Sequence, residues 1–220
     1  MRALVTGGSR GIGRAVCEKL RGMGFEVFAP TRAELDLGSS QSVLFFCKKY
    51  AGETFDIIIN NAGINPLAEI DEVSPDVLDE IMTVNLKSPI LLLKGFVPQM
   101  KVQKYGRIVN ISSIWGLVSK AGRVQYSATK YGINGVTNTL AVELGGYNIL
   151  VNSVCPGFTA TEMTAQNVPP ALEAELCRDI PLGRFARPEE IAGFIAYLAS
   201  PENTYITGQI IAADGGFTAR

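Results

Sequence analysis

Apolar and polar positions along this chain follow two alternating periods. Short, nearly continuous apolar runs read as strands: "RALVT" (2–6), "FEVFAP" (25–30), "TFDIIIN" (54–60), "GRIVNISS" (106–113), "NILVNSVCPG" (148–157) and "GQIIAADGG" (208–216). Helical spacing separates them. Ile12, Val16 and Leu20 recur on one face, and "SSQSVLFFCKKYA" (39–51) opens with a Ser N-cap signature. A long helical region starts at Pro75 and runs to about Met100, another carries "YSATK" (126–130), and "PEEIAGFIAYLAS" places Pro just inside a helix start. Strands that are apolar throughout are covered on both faces, so with helices between them they predict a parallel sheet in a doubly wound, Rossmann-type α/β fold. No repeat, low-complexity segment or linker interrupts the pattern, which gives a single domain over residues 1–220.

One connection breaks the rhythm. Only residues 29–33 separate Phe28 from "ELDL" (34–37), which reads as a third, very short strand. A parallel crossover takes at least about 10–12 residues. The usual helix between the second and third strands is therefore expected to be missing.

Composition narrows the chemistry. With 220 residues and 47% hydrophobic content, the chain can bury one substantial core. A net charge of −1 argues against a nucleic-acid surface. No apolar run approaches the roughly 20 residues that span a bilayer, and the strand-like start at "MRALVTGG" leaves no signal peptide to expect. Cys17, Cys47, Cys155 and Cys177 form no CxxC pair and read as reduced, mostly buried thiols of a cytoplasmic protein, with no metal site. Histidine is absent altogether, which removes the commonest general base.

"TGGSRGIG" (6–13) joins the first strand to the first helix. Glycines let backbone N–H groups approach phosphate, and the helix N-terminus favours negative charge. A P-loop is disfavoured because Arg14 and Ala15 stand where Lys and Ser/Thr should follow. The spacing of Gly7, Gly11 and Gly13, with Ser9, Arg10 and Ile12 between them, is a short variant of the dinucleotide fingerprint. No acid closes the second strand to take a ribose 2′-OH, whereas Arg10 and Arg32 can flank a 2′-phosphate. NADP(H) is the expected cofactor, with NAD(H) the alternative.

Taken together, "TGGSRGIG", "NNAG" (60–63), Asn85 in "MTVNLKSP", "NISS" (110–113), "YSATK", "NSVCPGFTATEM" and "YITGQIIAADGG" resemble the short-chain dehydrogenases/reductases over nearly the whole chain. The likeness is greatest to the 3-oxoacyl-(acyl carrier protein) reductase type. It implies a catalytic tetrad of Asn85, Ser113, Tyr126 and Lys130, with Ser113 chosen over Ser112 because it lies thirteen residues before the tyrosine. It also places Asp36 and Leu37 by the adenine, Asn61, Ala62 and Gly63 behind the adenosine ribose and phosphates, and Phe158 and Thr161, after Pro156 and Gly157, at the nicotinamide. Asp36 reads equally as a helix cap. Lys130 would also reach the nicotinamide ribose. Tyr126 and Lys130 are four apart on one helix face, so a neighbouring ammonium, with an oxidised nicotinamide, is expected to lower the phenol's pKa. Ala128, Gly132 and Gly135 are expected to admit a neighbouring backbone. Pro89, lacking an N–H, cannot bond the Asn85 carbonyl and should open the helix there.

The same likeness implies a substrate lid at about residues 159–181 and a homo-oligomer, tetramer or dimer, joined through the Asn85 and Tyr126 helices and the last strand. The weakly charged "GINGVTNTLAVEL" fits burial on both faces. Trp115, Lys120 and Arg123 lie near the mouth, with Arg123 read either as a solvated arginine or as a partner for an anionic substrate. Lys104 sits where such reductases meet an acidic carrier, and Tyr147 departs from that pattern. A 3-oxoacyl thioester is the first substrate reading. A sugar derivative, sterol or other secondary alcohol is the second, and a non-catalytic dinucleotide sensor the third.

Overall fold

The computed structural model of the chain describes residues 1–219. Six strands form one parallel sheet: β1 (Arg2–Val5), β2 (Glu26–Phe28), β3 (Ile57–Asn60), β4 (Gly106–Ile111), β5 (Ile149–Pro156) and β6 (Ile210–Ala213), in the order β2-β1-β3-β4-β5-β6. Among the described residues eight α-helices accompany it: α1 (Gly11–Gly22), α2 (Ser40–Lys49), α3 (Pro75–Met82), α4 (Ser88–Gln103), α5 (Val124–Leu144), α6 (Glu162–Asn167), α7 (Pro170–Asp179) and α8 (Pro188–Ala199).

Alternation within each strand decides which helix it meets. Ala3, Val5, Ile57, Ile59 and Val109 pack against α1 and α8, while Leu4, Ile58, Ile108 and Val151 pack against α2, α4 and α5. Leu4, Leu20, Ile58 and Ile108 are fully buried, each stabilising the fold by about 1.5–3 kcal/mol. A polar ladder pins α5 over the sheet: Asn60 Nδ2 donates to Asn110 Oδ1 at 2.8 Å, and Asn110 Nδ2 donates to Thr137 Oγ1 at 2.9 Å.

No helix forms between residues 29 and 36, as the short connection predicts. A single turn stands there, with the Thr31 carbonyl accepting from Glu34 and Leu35 N–H at 3.1 and 2.9 Å. The expected short strand at 34–37 is not formed. So few residues cannot return the chain along the sheet, and Leu35 turns into the core instead. The helix α2, with Ser39 Oγ accepting from Ser42 N–H at its N-cap, becomes the crossover between β2 and β3. The three-residue β2 is left as the sheet edge.

The helical region from Pro75 divides at Thr83–Lys87, a π-turn in which Ser88 N–H reaches back to the Thr83 carbonyl. Pro89 follows directly, unable to donate to Asn85. Among the described residues no helix is long and apolar enough to cross a membrane.

Candidate active site

Strand order reverses between β1 and β3, and in a parallel sheet the crevice beyond such a reversal is where loops part to admit a ligand. Two loops meet there. Thr6 Oγ1 accepts from the N–H groups of Asn61 and Ala62 at 3.0 and 3.1 Å, and Asn61 Nδ2 donates to the carbonyls of Thr6 and Gly7 at 3.0 and 3.1 Å. Gly7 has φ +67°, and a Cβ there would lie 2.9 Å from Ala62 Cα. A Cβ on Gly13 would strike the Gly7 carbonyl and Asn61 Nδ2. These glycines are therefore required by the loop's own packing as much as by any phosphate.

A cleft of about 330 Å³ opens at this point. Gly7, Ser9, Arg10, Gly11, Ile12, Gly13, Asn61, Ala62, Gly63, Ser113, Tyr126, Lys130, Pro156, Gly157, Phe158 and Thr161 all line it. Of the expected site residues, Arg32, Asp36, Leu37 and Asn85 do not. Arg32 stands outside, paired with Asp36 at 3.5 Å. Asp36 does not cap α2; its carboxylate accepts from Gly38 N–H at 3.0 Å, and the cap is Ser39. The carbonyl of Leu37 accepts from Ser88 Oγ at 2.6 Å.

Asn85 stands one layer behind the cleft. Its Oδ1 accepts from Ile64 N–H at 2.9 Å, and its Nδ2 donates to the Ile64 carbonyl at 2.8 Å and to Thr129 Oγ1 at 3.2 Å. It thus clamps the loop after β3. A Cβ on Gly63 would lie 3.2 Å from Asn85 Oδ1 and 3.7 Å from Lys130 Nζ, so both side chains meet behind this glycine.

Ser113, at the end of the β4 segment, accepts from Trp115 N–H at 3.2 Å and hydrogen-bonds the Tyr126 phenol. Lys130 Nζ lies 5.4 Å from the centre of the Tyr126 ring and donates to the Ile111 carbonyl at 2.8 Å. Burial dominates both side chains. It pushes the Tyr126 phenol up to about 12, against the opposing Ser113 hydrogen bond and Arg123 charge. It draws Lys130 down to about 8, offset in part by Cys155. In the protein alone, where no nicotinamide charge acts, the phenol is thus raised rather than lowered, because desolvation outweighs the Ser113 hydrogen bond and the Arg123 charge.

Other expectations change in detail. Close approach at Gly132 is to the Leu86 side chain, at 2.9 Å from a Cβ, rather than to backbone, and Gly135 meets nothing within 4 Å. One face of α5 is exposed in the single chain, with Val142 88% and Tyr131 48% accessible. Arg123 is not solvated. It is buried, lines the cleft and lies over Trp115 with Cζ 5.3 Å from the ring centre.

Asn65, Thr159 and Met163 line the cleft without having been singled out in the sequence. Asn65 follows the "NNAG" motif by two residues, which was the available signal. Trp115 packs edge-on to Phe158 and Phe217 at 6.2 and 6.1 Å, forming an aromatic wall at the mouth.

The nucleotide end fits a dinucleotide on its own features. The first turn of α1 faces the cleft with no side-chain cap and no acidic residue, so its N–H groups are free to receive phosphate. Arg10, exposed and outside every ion pair among the described residues, stands beside them.

Comparison with known proteins is consistent with this geometry. A family model described as enoyl-(acyl carrier protein) reductase matches residues 33–218. The chain is 37% identical to the 3-oxoacyl-(acyl-carrier-protein) reductase FabG of Aquifex aeolicus, over 97% of this chain and 96% of that protein. It is 36% identical to the acetoacetyl-CoA reductase of Rhizobium meliloti, over 97% of each. Among solved structures it resembles a gluconate 5-dehydrogenase from Burkholderia cenocepacia in complex with NADP and tartrate, with a TM-score of 0.88 and 26% identity over 100% of this chain and 95% of that one.

Proposed function

From the premise that the chain belongs to the short-chain dehydrogenase/reductase family, and so is an NAD(P)-dependent oxidoreductase acting on CH–OH or C=O groups, we propose that it uses NADP(H) and that Asn85, Ser113, Tyr126 and Lys130 carry the reaction. The observation that carries the second part is the joint burial of Ser113, Tyr126 and Lys130 against one cleft, with the phenol hydrogen-bonded to the serine.

The bound nicotinamide would supply or accept the hydride. Everything else falls to this chain. With its pKa near 12, Tyr126 is fully protonated at neutral pH and holds a proton ready for a carbonyl oxygen. Ser113 Oγ can donate to that same oxygen as negative charge develops on it. Lys130, 5.4 Å from the ring centre, stabilises the negative charge left on the phenolate once the proton has moved. Asn85 holds the Gly63 loop against Lys130. Gly7, Gly11 and Gly13 with the α1 N-terminus would hold the pyrophosphate, Arg10 and Arg32 the 2′-phosphate, and Pro156, Gly157, Phe158 and Thr161 the nicotinamide end.

A 3-oxoacyl thioester is the first substrate reading, supported by what the curated relatives act on. An acidic sugar derivative is the second, favoured by the buried Arg123 and by the likeness to a gluconate 5-dehydrogenase. Residues 159–181, whose α6 contributes Met163, Thr164 and Asn167 to the cleft lining, would serve as the substrate lid. The exposed α5 face and the edge strand β6 support a homo-oligomer formed through them.

The test follows NADPH and NADH absorbance with acetoacetyl-CoA and with gluconate, using the wild type beside Tyr126→Phe. A fall in turnover of about 10³-fold in the variant, with NADPH binding intact, is expected. Unchanged turnover would remove Tyr126 from the chemistry.

A further inference from the structure

Among the described residues, Arg123 is the buried cation at the cleft whose guanidinium is left unsatisfied. It is 8% exposed, and its Nη1 is closed to solvent with no hydrogen-bond partner. No carboxylate among the described residues lies within 4 Å of it to form an ion pair. Among the described residues its support is the face of Trp115, 5.3 Å away. Contrast Arg107, equally buried, whose Nε and Nη1 donate to the carbonyls of Asn203, Gly106 and Asn148.

An uncompensated buried charge is costly, and a fold retains one where something else completes it. A cation–π contact offsets only part of the desolvation that a buried guanidinium faces. Arginine presents a planar fork that matches a carboxylate with two parallel hydrogen bonds. The position is also telling. Arg123 is the N-cap residue of α5, three residues before Tyr126, and its charge is felt by that phenol. Asn65 Oδ1, another buried polar atom without a partner, lines the same cleft and can accept from a substrate hydroxyl.

We propose that Arg123, held over the Trp115 ring, is a specificity residue that binds the carboxylate of a short oxo acid or its hydroxy acid, so that the enzyme acts on an anion whose carbonyl is presented to Tyr126. The proposal rests on the reading of this cleft as the reductase site and favours an acidic substrate, the feature it shares with the second substrate reading, over the thioester. Arg123 fixes one end of the substrate, the aromatic wall of Trp115 and Phe158 limits its length, and Asn65 favours a hydroxylated chain.

Trp115 is the only tryptophan of the chain, so its emission reports on the guanidinium above it without cofactor or turnover. Acetoacetate, 4-oxopentanoate and gluconate, each beside its neutral amide, would be titrated into the wild type, Arg123→Met and Lys120→Met. At least one acid is expected to give a saturable change and to bind about 10–100-fold more tightly than its amide, the value of a charge-assisted pair. That preference should vanish in Arg123→Met and persist in Lys120→Met, where an exposed cation of the same loop is removed. The melting temperature of Arg123→Met should not fall, since an unpaired buried charge has gone.

Acids and amides bound alike by the wild type would overturn the proposal, and so would an acid preference that survives Arg123→Met. If that variant does not fold, Arg123→Lys keeps the charge without the fork and should retain only a weakened preference; an undiminished one would count against the guanidinium. NADPH oxidation with acetoacetyl-CoA, but no acid preference, would leave the reductase reading standing without the subsite. An acid preference with no turnover of any substrate would do the reverse.

Discussion

The two ends of the cleft are built differently. At the chemical end, Asn85, Ser113, Tyr126 and Lys130 are all at most 8% exposed, and a hydrogen bond fixes each. At the far end, the Arg32 side chain is 82% exposed, and its single ion pair runs to Asp36 at 3.5 Å. The edge strand beside it has only three residues, and one turn replaces the usual helix. Proton transfer needs a tuned pKa, which burial supplies. Discriminating a phosphate from a hydroxyl needs a positive charge within reach, which an exposed loop can supply. The first demand ties function to the core, and the second leaves it free to vary with little effect on the fold.

The sharpest way to test the buried end is Ser113→Ala. It removes a hydrogen bond that holds the phenol's pKa down and a donor to the developing oxyanion. Turnover should fall by about 10²–10³-fold, with NADPH affinity unchanged by fluorescence titration. A tenfold loss or less would mean that burial alone organises Tyr126.

Lys130 offers a test of burial itself. Its folded pKa of about 8 lies below the ordinary 10.5, so between these values the unfolded chain binds more protons than the folded one. Stability therefore rises with pH across this window, by at most about 3 kcal/mol, and is lost again as pH falls toward 8. Tyr126 acts in the opposite sense above pH 10, because its pKa is raised. Urea unfolding at pH 7.5 and pH 9.5 should show this gain in the wild type and not in Lys130→Met. Equal pH slopes would mean that Lys130 is solvated in solution, and the contrast between the two ends would weaken.

Legibility from the sequence follows the same division. The six strands and helices α1, α2, α5 and α8 were readable because apolar runs and helical spacing alternate cleanly, and the Ser39 cap and Pro188 mark their helices. By contrast, α6 and α7 lie in a stretch without that spacing, and the break at Thr83–Lys87 falls inside one continuous pattern. The Tyr126–Lys130 pair was visible through its spacing. Its electrostatics were not, because spacing reveals a neighbour's charge but not the depth at which both groups lie. Arg123 is the strongest case. In the sequence it stands in a polar loop, "SKAGRVQ", which favours solvation. Only the fold brings Trp115 beneath it and takes water away. The short strand expected at 34–37 failed for a related reason: "ELDL" has a strand's alternation, but five residues of connector cannot deliver it to the sheet edge.

The smallest expected effects lie at the exposed end, where they discriminate best. Arg10→Ala and Arg32→Ala should each lower the preference for NADPH over NADH by about tenfold, the loss of one charge-assisted contact. Their melting temperatures should stay unchanged, because both side chains are exposed and an ion pair such as Arg32–Asp36 is worth about 0–1 kcal/mol. Asp36→Asn provides the opposite perturbation: it releases Arg32 from its carboxylate and should raise the preference slightly. Kd values for both nucleotides, measured on the wild type and the three variants, would settle the assignment. If the preference survives both arginine substitutions, the 2′-phosphate is read from the uncapped first turn of α1, and the short connection after β2 has no part in choosing the cofactor. If it follows Arg32 but not Arg10, then the single turn at Thr31 alone positions the selecting charge.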